Sequence, residues 1–350
     1  MPPARRRQQK HPPLTTNKTN SQTTNQPIPM RTAQIIYNPA AGRFPVAHAI
    51  ASAEHALRDA DWEVSSAATR SGEDGTYLAK RAAERGLDAV FAVGGDGTIG
   101  QIAGGLIGTD TALGILPAGT ANVWGKELGM QPYSFIASNA LEENAKNLRD
   151  ACVYAVDIGL CNQQPFLMWA GLGLDALSVK KVEPRFRLEK FFTMSEYATS
   201  ILLTATHWRG VELRIWADDE KIEGHFILAV INNIRHYMGG LTNLSPDALL
   251  DDGSFDLWLF DGKNMADALR PVWEMWGGRH IDSAHTRRVP FKKLRLEADT
   301  EFAVQTDGEP RFDTKVAEIS VKKRALRVLM PPNALEALSQ KPLKGTKNAG

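Results

Sequence analysis

The first half of the chain alternates short apolar runs with segments of helical periodicity. Four apolar runs predict strands: residues 33–39 (AQIIYNP), 62–69 (WEVSSAAT), 87–93 (LDAVFAV) and 111–117 (TALGILP). The segments between and after them predict helices: residues 45–60, 73–85, 98–107 and 119–128. Alternation of strand and helix at this spacing favours a parallel sheet covered by helices on both faces.

From about residue 151 the pattern changes to shorter runs in which apolar and polar positions alternate. Alternation of this kind predicts half-buried strands in a mostly antiparallel β domain. The runs are residues 211–233, which we interpret as two strands around an acidic turn, and residues 253–260, 291–298, 301–306 and 315–330. A helical segment at residues 188–206 is expected to interrupt them.

The two ends of the chain differ in composition from the part between them. Residues 1–30 are rich in Pro, Thr, Asn and Gln, which predicts a disordered extension, and no apolar segment follows the basic start to make a secretory signal. We expect an α/β domain at residues 31–150, a β-rich domain at 151–332 and a C-terminal tail at 333–350. No stretch approaches about eighteen uninterrupted apolar residues, so we expect no transmembrane segment. A cytoplasmic protein, at most peripheral to the inner membrane, is the resulting prediction.

Charge and cysteine content exclude several classes of protein. Lys and Arg together number 41 and Asp and Glu 40, so no overall charge predicts a nucleic-acid partner. Short basic runs such as 322–324 (KKR) are more typical of solvated surfaces than of binding sites. Two cysteines, Cys152 and Cys161, are too few for a disulfide scaffold and suit a reducing compartment.

Three of the four predicted parallel strands end in glycine-rich loops. The loops are residues 38–42 (NPAAG), 94–98 (GGDGT) and 117–120 (PAGT). Ligands of open parallel sheets bind beyond the carboxyl ends of the strands, so these loops are expected at one site. Glycine lets the backbone approach a phosphate closely, and the start of the following helix offers unpaired N–H groups. The sequence therefore predicts a polyphosphate site at this edge.

Other interpretations of the glycines are weaker. Gly95, Gly97 and Gly100 match the spacing of a dinucleotide fingerprint, but they follow the third strand, and no acidic residue follows the next strand to bind a ribose. A Walker loop is excluded because no Gly-Lys-Ser/Thr sequence is present. A tight turn in which Asp96 only caps a helix remains an alternative for a single loop.

Three acidic segments have structural alternatives as well. Residues 251–253 (DDG) and 307–310 (DGEP) are both typical of turns. Asp157, in VDIG, is predicted to be a solvent-exposed residue at the end of a strand. The eight histidines show no metal-ligand spacing.

The ordered set NPAAG, GGDGT and LPAGTAN (116–122) resembles the catalytic domain of diacylglycerol kinases and their soluble bacterial lipid-kinase relatives, which include the sphingosine kinases. The likeness continues through residues 156–176, 239–260 and 304–310, and so spans nearly everything from 31 to 332. Because NAD kinases and phosphofructokinases have similar GGDGT loops, the resemblance depends on the order of all the motifs.

The resemblance implies a fold and an activity. The fold is a phosphofructokinase-like, Rossmann-type nucleotide domain followed by an antiparallel β-sandwich domain, with the active site in the cleft between them. The activity is ATP- and Mg²⁺-dependent transfer of a γ-phosphoryl group to a lipid hydroxyl, with diacylglycerol as the first candidate and a sphingoid base or ceramide as the second. The lipid substrate would be bound at a membrane surface, and a homodimer is one possible assembly of the protein.

The resemblance also implies roles for individual residues. Glu309, in the late DGE motif, would be the general base, and Asp96 would belong to the magnesium network at the nucleotide. A further magnesium site would comprise Leu249 (through its carbonyl), Asp252 and Ser254. The residues implied to bind ATP are Asn38, Pro39, Ala40, Ala41, Gly42, Thr69, Gly95, Asp96, Gly97, Thr98, Ile99, Gly100, Gln101 and Thr120.

Two positions depart from the family pattern and leave alternatives open. Val123 stands where relatives often have Asp, and Gly100 stands where many have Asn. One alternative is NAD kinase-like phosphorylation of a soluble acceptor, and the other is a nucleotide- or lipid-binding regulator with impaired turnover. The ordered NPAAG and DGE motifs and the β-rich second half favour the lipid kinase.

Overall fold

Four parallel strands form the sheet of the first half. The computed structural model describes residues 31–42, 45–149, 151–173, 176 and 209–339; the predicted extension at 1–30 and the predicted helical segment at 188–206 lie outside these. The strands are β1 (Arg31–Tyr37), β2 (Trp62–Ala68), β3 (Ala89–Gly94) and β4 (Ala112–Pro117), in the order β2-β1-β3-β4. Every residue of β3 and β4 is buried, as expected for continuous apolar runs covered on both faces.

Five helices accompany this sheet in the described chain. They are α1 (Ala47–Arg58), α2 (Asp74–Glu84), α3 (Asp96–Leu106), α4 (Val123–Glu127) and α5 (Ala140–Asn147). The first three agree with the predicted helices, although α3 begins at Asp96 rather than Thr98 because Gly95 is extended and serves as its N-cap. We had no prediction for α5.

The predicted helix at 119–128 is wrong over its first turn. Asn122 adopts a left-handed conformation (φ 52°, ψ 49°), so the helix can begin only at Val123. The Asn122 side chain accepts a hydrogen bond from Gly119 N at 2.6 Å and donates one to Gly119 O at 2.8 Å. Residues 119–122 therefore form a closed loop and not a helical turn.

The second half is built mainly from antiparallel strands. They are β5 (Cys152–Cys161), β6 (Gln164–Phe166), β7 (Trp169–Gly173), β8 (Val211–Ala217), β9 (Glu220–Asn232), β10 (His236–Tyr237), β11 (Thr242–Asn243), β12 (Phe255–Asp261), β13 (Thr286–Phe291), β14 (Lys293–Thr306) and β15 (Glu309–Met330). Strands β7, β9, β8 and β14 pair in a closed cycle around an apolar core that includes Phe166, Leu213 and Ile231. Both the antiparallel domain and the fold class are confirmed.

Two details of the second half differ from the prediction. The runs at 291–298 and 301–306 were expected as separate strands, but they form the single strand β14, whose register with β15 shifts between Glu297 and Phe302. A helix that we did not predict, α6 (Met265–Trp276), follows β12, and its N-cap Asn264 accepts a hydrogen bond from Asp267 N at 3.1 Å.

Strand β15 joins the parallel strands of the first half and the antiparallel strands of the second half into one sheet. Its residue Val328 pairs in parallel with Leu113 of β4, while β5 runs antiparallel along its other side. Hydrogen bonding therefore crosses the predicted domain boundary near residue 150. The hairpin between β14 and β15, which contains the DGE motif, belongs to the same continuous sheet as the glycine-rich loops.

Candidate active site

The structure brings the three glycine-rich loops together at one edge of the parallel sheet. Asn38 N donates to Val93 O at 3.1 Å, and the Asn38 side chain reaches Thr98 Oγ1 at 3.4 Å. Ala118 N donates to Gly94 O at 2.8 Å. The loop after β1 therefore contacts the loop after β3, which in turn contacts the loop after β4.

Two glycines permit this close approach. Gly42 has φ +63°, and a Cβ atom there would lie 2.3 Å from Ala118 O. A Cβ atom on Gly119 would lie 2.3 Å from Gly95 Cα. Because neither contact is sterically tolerable, only glycine fits at these positions without moving the neighbouring loop.

Gly119→Ala should separate the second and third loops. The added methyl group must displace the backbone of Gly95, a strain of about 1–3 kcal/mol, so we expect a lower melting temperature and weaker nucleotide binding. The matched control is Gly104→Ala in α3, where a Cβ atom would meet nothing within 4 Å. Calorimetric titration with ADP would contradict this account if both variants bound it as the wild type does.

The remaining residues implied to bind ATP lie along the same edge. Thr69 follows β2, and its amide donates to Tyr37 O at 2.9 Å, which places it beside the first loop. Ala40 N donates to Asn38 Oδ1 at 2.9 Å, so the Asn38 side chain shapes its own loop. Gly97 and Thr120 are exposed. Their roles in nucleotide binding stay predictions.

Asp96 links α3 to α4. Its carboxylate accepts a hydrogen bond from Trp124 N at 3.1 Å, so the side chain does not merely cap its own helix. Burial raises the pKa of the Asp96 carboxyl, while the backbone amides of Val123 and Trp124 and the charge of Lys126 oppose that increase. A cation at this carboxylate would favour its ionised form.

The DGE motif forms the hairpin turn between β14 and β15. Asp307 (φ +54°) and Gly308 (φ +80°) are both left-handed, as two-residue hairpin turns of the Asp-Gly kind require. Asp307 accepts hydrogen bonds from Leu167 N at 2.9 Å and Met168 N at 2.8 Å, and its own amide donates to Trp169 O at 2.9 Å. The turn is therefore fixed to the segment that leads into β7.

Glu309, which follows this turn directly, lies beside the second glycine-rich loop. A Cβ atom on Gly97 would lie 3.6 Å from Glu309 Oε1, so the carboxylate lies at the first turn of α3. Gly97 and Glu309 are more than two hundred positions apart in the sequence, yet the fold places them side by side. DGEP is thus a turn, as its alternative interpretation held, and it also places a carboxylate at the predicted phosphate site.

Asp307 should make stability depend on pH. Burial raises the pKa of its carboxyl from 3.8 to about 6, against the hydrogen bonds from Leu167, Met168 and Trp169. Because the folded state then holds the proton more tightly than the unfolded state, stability should fall as pH rises from about 4 to about 6. The free energy of unfolding should fall by at most about 3 kcal/mol. Solvent that reaches this half-buried side chain makes the decrease smaller.

Asp307→Asn tests this dependence. The amide does not titrate, so the free energy of unfolding of the variant should lack the fall between about pH 4 and pH 6. Urea unfolding of both proteins across that range measures the difference. Parallel pH profiles would show that Asp307 titrates alike in the folded and unfolded chains.

The implied metal loop is shaped by its own hydrogen bonds. Asp252 Oδ1 accepts from Ser254 N at 2.9 Å, and a Cβ atom on Gly253 would lie 2.3 Å from Lys323 Nζ. Burial raises the pKa of the Asp252 carboxyl and the charge of Lys323 opposes it. An ammonium group beside this loop already supplies positive charge, so we derive no chemical step from a metal here. Metal binding by Leu249, Asp252 and Ser254 stays a prediction.

The expectation for Asp157 is wrong. Its side chain is 1% exposed, and it accepts hydrogen bonds from Gly253 N and from Arg324 N, the latter at 2.7 Å. The carboxylate joins the loop before β12 to an irregularity in β15, so its role is structural. Within the described residues, no group of three or more His, Cys, Asp or Glu side chains forms a metal cluster.

Val123 and Gly100, the two departures from the family pattern, both fit the local packing. Val123 is buried (1% exposed) at the start of α4, and its amide contributes to holding the Asp96 carboxylate. A Cβ atom on Gly100 would meet nothing within 4 Å, so this position leaves open space on α3. Neither residue disturbs the packing of the three loops.

The sequence patterns do not predict the roles of Asn122, Glu127 and Arg235. Asn122 closes the third loop, and its left-handed conformation has a signal, because Asn is among the residues that adopt it most readily. Glu127 binds Arg235 across the two halves at 2.7 Å, but the pair is separated by 108 positions and no local pattern predicts it.

Comparison with known proteins agrees with this geometry. The diacylglycerol kinase catalytic domain matches residues 32–161, and the YegS C-terminal NAD kinase β-sandwich-like domain matches residues 170–330. The chain thus contains a diacylglycerol kinase catalytic domain followed by a YegS-type C-terminal domain. The diacylglycerol kinase resemblance is thereby confirmed, and it covers both halves of the described structure.

Two relatives that match over most of the chain are named diacylglycerol kinases. The Bacillus subtilis (strain 168) protein is 29% identical over 311 residues, which is 88% of this chain and 99% of that protein. The Staphylococcus haemolyticus (strain JCSC1435) protein is 29% identical over 279 residues, covering 79% and 82% respectively. These relatives support a kinase activity for this chain.

Solved structures support the fold. A putative diacylglycerol kinase from Bacillus anthracis str. Sterne superposes with a TM-score of 0.70 at 23% identity, over 88% of this chain and 99% of the other. At that identity the similarity shows the fold alone. In the part of the chain that the structure describes, no helix is both long and apolar enough to cross a bilayer.

Proposed function

We propose that this protein is an ATP- and Mg²⁺-dependent lipid kinase that transfers the γ-phosphoryl group to a lipid hydroxyl. The observation that carries the proposal is the position of Glu309: a carboxylate from the β-rich half lies beside Gly97 of the second glycine-rich loop, at the start of α3. A phosphate site with a carboxylate next to it suits transfer to an alcohol. The matched catalytic domain and the names of the relatives support this choice of reaction.

The loops supply most of what phosphoryl transfer needs. The reaction depends on positioning and on stabilising charge, with little covalent chemistry for the protein to perform. The first turn of α3 directs unpaired backbone N–H groups and the positive end of the helix dipole at bound phosphates. The contact between Gly95 and Gly119 keeps the second and third loops close together, which supports a single polyphosphate site at this edge.

Glu309 would act as the general base. A lipid alcohol is a weak nucleophile at neutral pH, and a carboxylate within hydrogen-bonding distance can take its proton as the new P–O bond forms. The hydroxyl oxygen then attacks the γ-phosphorus, ADP leaves, and the proton resides on a Glu309 oxygen until it is released to solvent. The rigid turn at Asp307 and Gly308 keeps this carboxylate oriented.

Asp96 fits the role of orienting magnesium at the nucleotide. Its carboxylate is held by backbone amides of α4, and the charge of Lys126 favours its ionised form. Mg²⁺ prefers a few carboxylate oxygens together with water and phosphate oxygens, which a single oriented Asp can serve. When bound, the ion would neutralise charge on the phosphoryl oxygens.

Diacylglycerol is the first candidate acceptor, because the relatives that cover most of the chain are named for it. A sphingoid base or ceramide is second. One observation favours a different acceptor: the second domain is also described as NAD kinase β-sandwich-like, which keeps a soluble dinucleotide as the alternative.

An assay with two acceptors separates these proposals. Purified protein would be incubated with Mg-ATP and either diacylglycerol in detergent micelles or NAD, and ADP release would be measured. We expect ADP release that depends on the lipid and not on NAD. Release with NAD alone would favour the alternative, and Mg-ATP binding without turnover on either acceptor or on a broad lipid panel would favour a non-catalytic regulator.

A further inference from the structure

The short helix α4 contacts the β-rich half through a buried carboxylate. Glu127, its last residue, is 2% exposed and accepts a hydrogen bond from Arg235 Nε at 2.7 Å. Its other oxygen lies 2.7 Å from His236 Nδ1 and accepts from the backbone amides of Arg235 at 3.2 Å and His236 at 3.3 Å. The preceding residue, Lys126, donates to Gly239 O at 2.8 Å.

Glu127 is ionised in this position. Burial acts to raise the pKa of its carboxyl, but the hydrogen bonds from His236 and Arg235 and the charge of Arg235 outweigh burial, so the pKa lies below its ordinary value. Buried ion pairs add little net stability, because removing both charges from water costs about what their attraction returns. A buried pair with several bonds instead fixes one relative position of the elements that it joins.

The first turn of α4 contacts Asp96 and the third glycine-rich loop. Trp124 N, in its first turn, donates to the Asp96 carboxylate at 3.1 Å. Asn122, directly before the helix, closes the third loop through its two bonds with Gly119. A helix of five residues is too short to be stable on its own, so tertiary contacts must set its position.

We propose that Glu127 is a positioning residue for phosphoryl transfer. By fixing α4 to residues 235–236 of the β-rich half, it holds Asp96 and the third loop in the arrangement that binds the magnesium nucleotide. This inference rests on the proposed function, since it presumes that the loops bind a nucleotide. It also makes the orientation of a nucleotide-binding carboxylate depend on the half of the protein that contains Glu309.

The test is Glu127→Gln, which keeps the shape of the side chain but leaves Arg235 without its counter-charge. The probe is a non-hydrolysable ATP analogue, titrated calorimetrically over a range of Mg²⁺ concentrations. We expect the Mg²⁺ concentration for half-maximal binding to rise roughly three- to tenfold, within the range of couplings carried through packed elements. Binding measured without Mg²⁺ should change less, because Asp96 acts on the nucleotide through the ion.

A matched control separates positioning from general loss of stability. Thr111 is 2% exposed at the opposite end of β4, and its hydroxyl donates to Leu87 O at 2.6 Å. Thr111→Val should lower the melting temperature without changing the Mg²⁺ dependence. Equal shifts of the Mg²⁺ dependence in both variants would overturn the inference, as would a Glu127→Gln protein that binds like the wild type.

A second variant covers the case in which Glu127→Gln does not fold. Arg235→Lys keeps the counter-charge but loses the hydrogen bond that the Arg235 guanidinium donates to Glu127 O, which is 3.3 Å long in the wild type. We therefore expect a smaller shift of the Mg²⁺ dependence in the same direction. An unchanged dependence would contradict the inference. Wild-type protein that binds no Mg-nucleotide would overturn the proposed function, and the inference would fall with it.

Discussion

Glu309→Gln is expected to reduce turnover on a lipid acceptor by about 10²–10⁴, the usual range for losing a general base. The amide keeps the volume of the side chain and most of its hydrogen bonding, but it cannot take the proton of the alcohol. ATP affinity should change little, because the carboxylate acts on the acceptor and the loops hold the nucleotide. Stability should also change little, since hydrogen bonds from Leu167 N and Met168 N to the Asp307 carboxylate fix the turn.

Three measurements on this variant distinguish its possible roles: turnover with lipid, affinity for ATP, and melting temperature. The matched control is Glu318→Gln on the same strand, an exposed residue whose ion pair with Arg295 should contribute little to stability. A decrease in all three quantities would mean that Glu309 supports the turn. Normal turnover would mean that the base lies elsewhere.

Asp96→Asn should lower Mg²⁺-dependent activity by about 10–100-fold, the range found when a group that orients a metal site is lost. The amide oxygen can still accept the hydrogen bond from Trp124 N, so α4 should stay in place. What disappears is the negative charge, and the Mg²⁺ concentration for half-maximal activity should therefore rise. A Mg²⁺ titration of the initial rate measures this change.

Asp88→Asn provides the control for charge removal. Asp88 lies at the opposite edge of the parallel sheet, where its carboxylate accepts a hydrogen bond from Thr32 N at 2.7 Å. Its replacement should leave the Mg²⁺ dependence as in the wild type. If Asp96→Asn also titrates like the wild type, Asp96 has only a structural role between α3 and α4.

Local sequence patterns predicted the nucleotide half well. The runs that became β3 and β4 are continuous and apolar because both faces are covered, and such runs leave few alternatives. The glycine-rich loops could be placed at one edge because parallel strands end on the same side of a sheet. The error at residues 119–122 came from Asn122, whose left-handed backbone ends the continuity that helical periodicity assumes.

Contacts between distant segments were harder to predict. Glu127 carries no local signal of its partners, since Arg235 and His236 approach it only when the two halves pack. The same holds for Asp157, which looks like a polar residue near the end of a strand until residues 253 and 324 cover it. The approach of Glu309 to Gly97 was anticipated only through the family resemblance and not through spacing.

The unpredicted helix α6 shows a limit of predicting helices from residue propensity. Pro271 lies inside it and weakens any prediction based on helix propensity. Asn264, followed three residues later by Asp267, was the available signal, because the Asn side chain caps the first turn. Capping residues can therefore indicate a helix where the interior composition argues against one.

The measurement that tests the central claim most directly is transfer of label from [γ-³²P]ATP to lipid. Wild-type protein and Glu309→Gln would be incubated with Mg²⁺, labelled ATP and a total lipid extract, and the labelled lipid would be separated and identified. The proposed mechanism predicts one labelled class bearing a new phosphomonoester, formed by the wild type and reduced about 10²–10⁴-fold in the variant. No labelled lipid with the wild type, or equal labelling by both proteins, would contradict it.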